Sequence, residues 1–346
     1  MSIKKRKTDH IELCTEEDVF YRKSTGFERY DFIHNALPEV NPEQVSTRAS
    51  LLGREFYFPL FISSMTGGHP EAESINSMIA RFCQKVNLPF GVGSQRVMLE
   101  NPAEIKSFSV VRKNAPDAFI AANIGGSQIT GGLTAEKLAR MVDSIRADAV
   151  IVHLNPLQEL VQPEGDHHFE GIEEGIAGLV KSTGLPVIVK ETGAGISRDA
   201  AMRLLEKGVK VIDTSGAGGT SWSRVENLRI KGSTGNEERE TEYDPFEDWG
   251  IPTSVCIEDI QKLRTSYAFE LIASGGMRTS FDMAKALALG ADFTAVAQPV
   301  IMALKSGGIK ELETMVETWR RQLQTILVLL GCQVPGDLDS THLRKV

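Results

Sequence analysis

Cysteine is scarce in this chain. Cys14, Cys83, Cys256 and Cys332 stand far apart, so no CxxC pair suggests a zinc site, and reduced, mostly buried thiols are expected. Long apolar runs are missing too. The longest strongly apolar stretch, TILVLLG at 325–331, falls far short of the ~20 residues that a membrane span needs. No such stretch follows the lysines of MSIKKRKTDH, so no signal peptide is expected and a cytoplasmic location is the default. An excess of basic charge is also absent: 38 Lys and Arg face 46 Asp and Glu, a net charge of −8. That argues against general affinity for nucleic acid or membrane, and a bound anion needs local basic groups. The 346 residues, 41% apolar and 24% charged, match an ordinary globular chain able to bury a large core.

Eight apolar, β-branched-rich runs recur: 58–65, 88–94, 118–124, 149–155, 186–192, 210–216, 269–276 and 293–299. Nearly continuous hydrophobicity is the mark of parallel strands covered on both faces. Helical spacing fills the intervals. Ile75, Ile79, Phe82 and Val86 share one face, as do Leu138, Met141, Val142 and Ile145. Thr134 and Ser280 are the expected N-caps. The alternation predicts an α/β fold, a closed (β/α)8 TIM barrel. A doubly wound sheet ranks second, because the first run leads into SSMTGG rather than GxGxxG. Residues 1–57 then form an N-terminal extension, with 27–56 over the bottom or side, and 58–346 form the barrel. The rhythm breaks at 217–252, a glycine-rich and polar insertion after the sixth strand. It falls at the C-terminal face, where barrels carry their active sites, and reads as a lid.

Polar groups crowd the strand ends. They include Ser63, Ser64, Met65 and Thr66; Ser94, Gln95 and Arg96; Asn123; His153, Asn155, Gln158 and Glu159; Lys190; Asp213, Ser215 and Thr220. Loops seven and eight commonly bind phosphate in this fold. Here SGGMR brings Gly275, Gly276, Met277 and Arg278, and the AQP turn brings Ala297 and Gln298 at a helix start. Lys190 ends an apolar strand and needs a partner. It can pair with Glu191 or Asp213, form a Schiff base, or serve as a cation beside a flavin. A second anion site is suggested by Arg6, Lys7 and His10 together with Arg96, His153 and Asn155. Glu159 at that mouth suits Mg²⁺ bridging to a diphosphate, or a salt bridge to Arg96.

RKTDH, SSMTGG, GVGSQR, HLNPLQE, VKETGAG, DTSGAGGTSW and ASGGMR occur in this order between residues 6 and 278, followed by AQP at 297–299. In this respect the sequence closely resembles the type 2, FMN-dependent isopentenyl-diphosphate delta-isomerases. The resemblance implies a 1,3-allylic proton shift between isopentenyl and dimethylallyl diphosphate. It implies reduced FMN, with NADPH or another reductant, and Mg²⁺. It places Ser64, Met65, Thr66, Ser94, Asn123 and Lys190 at the flavin ring. Ser215, Thr220, Gly275, Gly276, Met277, Arg278, Ala297 and Gln298 belong to its phosphate end. Arg6, Lys7, His10, Ser94, Gln95, Arg96 and Trp222 would meet substrate, with His153 and Asn155 at the diphosphate and Glu159 on the metal. Gln158 would sit at the reacting carbons, and Trp222 and Glu226 would close the pocket. A homo-tetramer or homo-octamer is implied as well. The rival classes are a flavin 2-hydroxy-acid oxidase and a non-catalytic FMN- or phosphate-binding barrel. The oxidases carry a His-Gly-Gly base after the sixth strand region, and DTSGAGGTSW contains no histidine.

Overall fold

The computed structural model describes residues 3–68, 70–234 and 241–346, without the side chains of 3–8, 70, 233 and 234. Eight strands close a barrel: β1 (Leu60–Ile62), β2 (Phe90–Gly91), β3 (Ile120–Gly125), β4 (Ala149–Leu154), β5 (Val187–Glu191), β6 (Val211–Asp213), β7 (Glu270–Ser274) and β8 (Phe293–Val296). Each falls on one of the eight apolar runs, β3 reaching one residue past the end of its run. All neighbours are parallel, and β8 closes on β1 with Thr294 opposite Leu60.

The strands are apolar on both faces because they serve two cores. Leu60, Ile62, Val150, Val152, Val187 and Val189 point outward into the layer shared with the helices. Phe61, Ala121, Ile151, Ile188, Val211, Ile272 and Phe293 alternate with them and fill the barrel interior. The lower end of that interior is plugged by the hairpin Ala49–Leu51 and Arg54–Phe56. Phe56 stands edge-on to Phe119 and Phe293, at 5.9 and 5.8 Å between ring centres. The preceding strand, Tyr30–Phe32, pairs antiparallel with Leu343–Lys345 on the flank.

Helix α1 (Ile3–Glu16) precedes the barrel. The two periodic segments are helices α2 (Pro70–Val86) and α3 (Ala135–Ile145). Thr134 caps α3, its hydroxyl accepting from the Lys137 amide at 3.2 Å. The other expected cap shifts by one residue. Thr279, extended at φ −136° and ψ 158°, forms a capping box with Asp282. Ser280 is inside the helix and its Oγ donates to Gln322. Only the extended residue three before the carboxylate can make the reciprocal bonds.

After β4 comes the short helix α4 (Pro156–Val161). Within the insertion, Trp222–Thr234 is helix α5, in a stretch that reads from sequence only as a glycine-rich and polar insertion. Its buried face includes Glu226 and Asn227 beside Val225, so hydrophobic periodicity passes over it. The two ends of the insertion are tied together, the Ala217 amide donating to Ile251 O at 2.8 Å. The chain's last long helix, α6 (Gln298–Leu330), bends at Gly308, whose φ is 65°. Among the described residues no helix is long and apolar enough to cross a membrane.

Candidate active site at the C-terminal mouth

The inward face of the barrel continues two residues beyond each apolar layer. Asn123 follows Ala121, His153 follows Ile151, Lys190 follows Ile188, Asp213 follows Val211 and Ser274 follows Ile272. Strand register sets His153 opposite Lys190 and Lys190 opposite Asp213. A polar ring therefore sits directly on an apolar floor, below a cavity of about 300 Å³.

Each member of the ring is held. His153 Nδ1 lies 2.8 Å from Asn123 Oδ1. An amide oxygen only accepts, so the imidazole proton is on Nδ1. Lys190, 6% exposed, donates from Nζ to the Glu191 carbonyl at 2.5 Å. Among the described residues no carboxylate lies within ion-pair distance of it. Glu191 faces the other way, its Oε2 accepting from the amides of Thr192, Gly193, Ala194 and Gly195. Burial pushes the Glu191 carboxyl up to about 7, against those amides and Lys190. Asp213 is also raised by burial, against the pull of Lys190 and of the Ser274 hydroxyl bonded to it. Ser64, at the edge of the ring, has a buried Oγ with no hydrogen-bond partner among the described residues.

At one end of the cavity two glycine loops meet backbone to backbone. A Cβ on Gly275 would fall 2.1 Å from Gly216 O, and one on Gly219 would fall 2.6 Å from the Gly276 amide nitrogen. Gly275 and Gly276 have φ of 105° and 71°, so only glycine fits here without strain. Ser215, Thr220 and Met277 line this end, and the start of α6 adds Ala297 and Gln298. Arg278 reaches the same end; its backbone amide donates to Asp282 Oδ2 at 3.0 Å, and among the described residues its guanidinium has no carboxylate partner. Its guanidinium lies 4.2 Å from the Phe20 ring centre.

The other end is roofed by α1, α4 and α5. Buried Glu226 accepts from His10 Nε2 at 2.8 Å, Gln158 Nε2 at 3.2 Å and Arg229 Nε at 2.7 Å. Burial alone would raise the Glu226 carboxyl, but its bond to His10, the charges of His10 and Arg229 and the Gln158 amide hold it below the ordinary value. The His10 ring stands edge-on to Trp222 at 5.1 Å. Asn155 Nδ2 donates to Gln158 Oε1 at 3.1 Å and to Glu159 Oε1 at 3.0 Å. Glu159 Oε2 accepts from the Asp166 amide at 2.7 Å. Glu159 is therefore not the partner of Arg96, whose Nε bonds Glu100 at 2.9 Å.

The cavity gathers most of the residues singled out from sequence. Ser64, Met65, Thr66, Ser94, Arg96, Asn123, His153, Asn155, Gln158, Glu159 and Lys190 all line it, as do His10 and Trp222. Gln95 is a correction. Its side chain is fully buried away from the cavity, its Oε1 accepting from the Asn123 amide and its Nε2 donating to Met141 O. From the turn that follows β2 it braces β3 against α3. Arg6 and Lys7 lie on the backbone of α1, and their side chains fall outside the described residues. Cys14, Gln128 and Thr192 also line the cavity and had not been singled out. Thr192 and Gln128 follow apolar strands closely enough to have been found by the strand-end rule. Cys14 gave no signal; burial and the nearby Glu226 charge push its thiol up to about 12.

A family model described as FMN-dependent dehydrogenase matches residues 2–119 and 152–345. An isopentenyl-diphosphate delta-isomerase of Chlorobium limicola is 43% identical over 98% of this chain and 95% of its own length. One from Methanothermobacter thermautotrophicus is 41% identical over 98% of this chain and 92% of its own. Among solved structures, a flavocytochrome b2 variant superposes with a TM-score of 0.70 at 17% identity, over 97% of this chain and 82% of that one. A soluble mutant of the membrane-associated (S)-mandelate dehydrogenase of Pseudomonas putida gives 0.68 at 14%, over 98% and 99%. These two establish the shared barrel, and sequence identity over nearly the whole length does the rest: the chain belongs to the FMN-dependent dehydrogenase family and, within it, to the isopentenyl-diphosphate delta-isomerases.

Proposed function

We propose that this protein interconverts isopentenyl and dimethylallyl diphosphate by a redox-neutral 1,3-proton shift, using reduced FMN, with NADPH as a reductant, and Mg²⁺. The residues present suit FMN. Ser64 offers an orphaned buried hydroxyl and Lys190 an unpaired cation to the heteroatom edge of a flavin. The glycine cradle, Thr220, the start of α6 and Arg278 suit a phosphate. Reduced FMN, when bound, supplies an electron-rich surface and a nitrogen able to carry a proton.

The protein's own task is to hold a small diphosphate so that its alkene meets that surface. Remote binding of the diphosphate supplies orientation. Arg6, Lys7, Arg96, His153 and Asn155 are the groups assigned to it. Glu159 is assigned to Mg²⁺, which typically takes one or two carboxylates and completes its shell with water and substrate phosphate. Among the described residues no cluster of three or more His, Cys, Asp or Glu converges as an all-protein metal site. Gln158 is a neutral amide and no strong base. Its NH₂ is held by Glu226 and its carbonyl by Asn155, which supports a positioning role for it beside the reacting carbons. Trp222 and His10 shut water out above it. The reading also takes the enzyme to be cytoplasmic and a homo-tetramer or homo-octamer.

The observation that carries the reading is the loop after β6, which presents Thr220 and Trp222 to the cavity and contains no histidine. A 2-hydroxy-acid oxidase needs its base there. The test is anaerobic incubation of the FMN-loaded protein with lactate or mandelate, and separately with dithionite, Mg²⁺ and isopentenyl diphosphate. Bleaching of oxidised flavin by a hydroxy acid, without isomerisation, would overturn it.

A further inference from the structure

The residues that follow α1 form a strap across the phosphate end of the cavity. Phe20 forms an antiparallel bridge with Thr220. The Tyr21 amide donates to Gly219 O at 2.9 Å, and the Ser221 amide to Val19 O at 2.8 Å. Arg224 Nη1 donates to Phe20 O at 2.9 Å. Farther along, Thr25 closes on the glycine cradle so tightly that a Cβ on Gly218 would meet its amide nitrogen at 2.4 Å. The backbone of Phe20 is thus locked to the loop after β6, while its ring lies against Arg278 from the loop after β7. Arg278 is exposed and its guanidinium has no acidic partner among the described residues, so the ring face is its one defined seat. Guanidinium groups stack on aromatic faces and keep their in-plane N–H donors available.

We infer that Phe20 is a positioning residue for the cofactor phosphate: its ring holds the Arg278 guanidinium at the mouth of the glycine cradle. This rests on the reading of that cradle as the FMN phosphate site. Phe20 touches no reacting atom and acts only through Arg278. Its contribution is therefore confined to ligands that carry the phosphate.

Equilibrium titration of the apoprotein with FMN and with riboflavin, followed by flavin fluorescence, separates the possibilities. Phe20→Leu should weaken FMN about three- to tenfold, the size of one cation–π contact, and leave riboflavin affinity unchanged. Phe20→Tyr should restore wild-type FMN affinity. Arg278→Ala should weaken FMN further, and adding Phe20→Leu to it should have no additional effect. Equal losses for FMN and riboflavin would show that Phe20 serves only the fold and would overturn the inference. So would full retention of FMN affinity in Phe20→Leu. If the wild-type protein bound FMN no better than riboflavin, the cradle reading itself would fail.

Discussion

Lys190 is a buried cation with no carboxylate at ion-pair distance among the described residues, although two acids flank it in sequence and register and feel its charge. Glu191 is consumed by four backbone amides and Asp213 by Ser274. Replacing Lys190 with Ala should weaken reduced FMN about 10- to 100-fold, as expected for one charge-assisted contact, and cost oxidised FMN less. Equal affinities in titrations of wild type and variant would remove Lys190 from the ring site. Glu159→Gln keeps the shape and the bond from Asn155 but removes the charge. The Mg²⁺ concentration for half-maximal activity should rise about tenfold or more with FMN affinity unchanged, and a wild-type Mg²⁺ response would place the metal elsewhere. Glu226 makes a pH prediction. Its carboxyl is held below the ordinary value of 4.5. Below 4.5 the unfolded chain binds the proton more readily than the native one, so stability from this group is present above that pH and is lost as pH falls through the lower native value. Denaturant midpoints measured at pH 7 and pH 4 should fall less in Glu226→Gln than in wild type. Identical slopes would mean that the cluster is not linked to folding.

Elements differ in how much of them can be read from sequence. The eight strands were legible because each buries both faces, and α2 and α3 because each buries one apolar stripe. Helix α5 was not, since its buried face carries Glu226 and Asn227 and its stability comes from polar pairing with α1, α4 and the Asp244 turn. Gln95 misled for the opposite reason. Its position in a motif said nothing about where the turn after β2 aims its side chain, and that turn sends it between β3 and α3. The strap at Phe20 was likewise invisible, because its partners Thr220 and Arg278 are 200 and more residues away. Helix α1 carries the sharpest element-scale prediction. Deleting residues 1–10 removes Arg6, Lys7 and His10 while leaving the strap. The value of kcat/KM should fall by about 100-fold or more, the scale for losing paired charges on a substrate, with FMN retained. Near wild-type kinetics would make the segment a dispensable basic tail.

At the scale of the whole molecule, a fold shared with flavin dehydrogenases carries a different chemistry. The barrel supplies an apolar interior, a polar ring and a glycine cradle. Above it, α1, α4 and α5 enclose a neutral Gln158 under buried Glu226 and half-buried Trp222. Such an enclosure suits a reaction that shifts a proton and leaves no net electrons on the cofactor. The most direct test is anaerobic turnover of isopentenyl diphosphate in D₂O by the dithionite-reduced, FMN-loaded enzyme, with product and flavin state followed together. The account predicts dimethylallyl diphosphate bearing solvent deuterium, formed over many turnovers while the flavin stays reduced. Absence of that product, or flavin oxidation in step with each turnover, would contradict it.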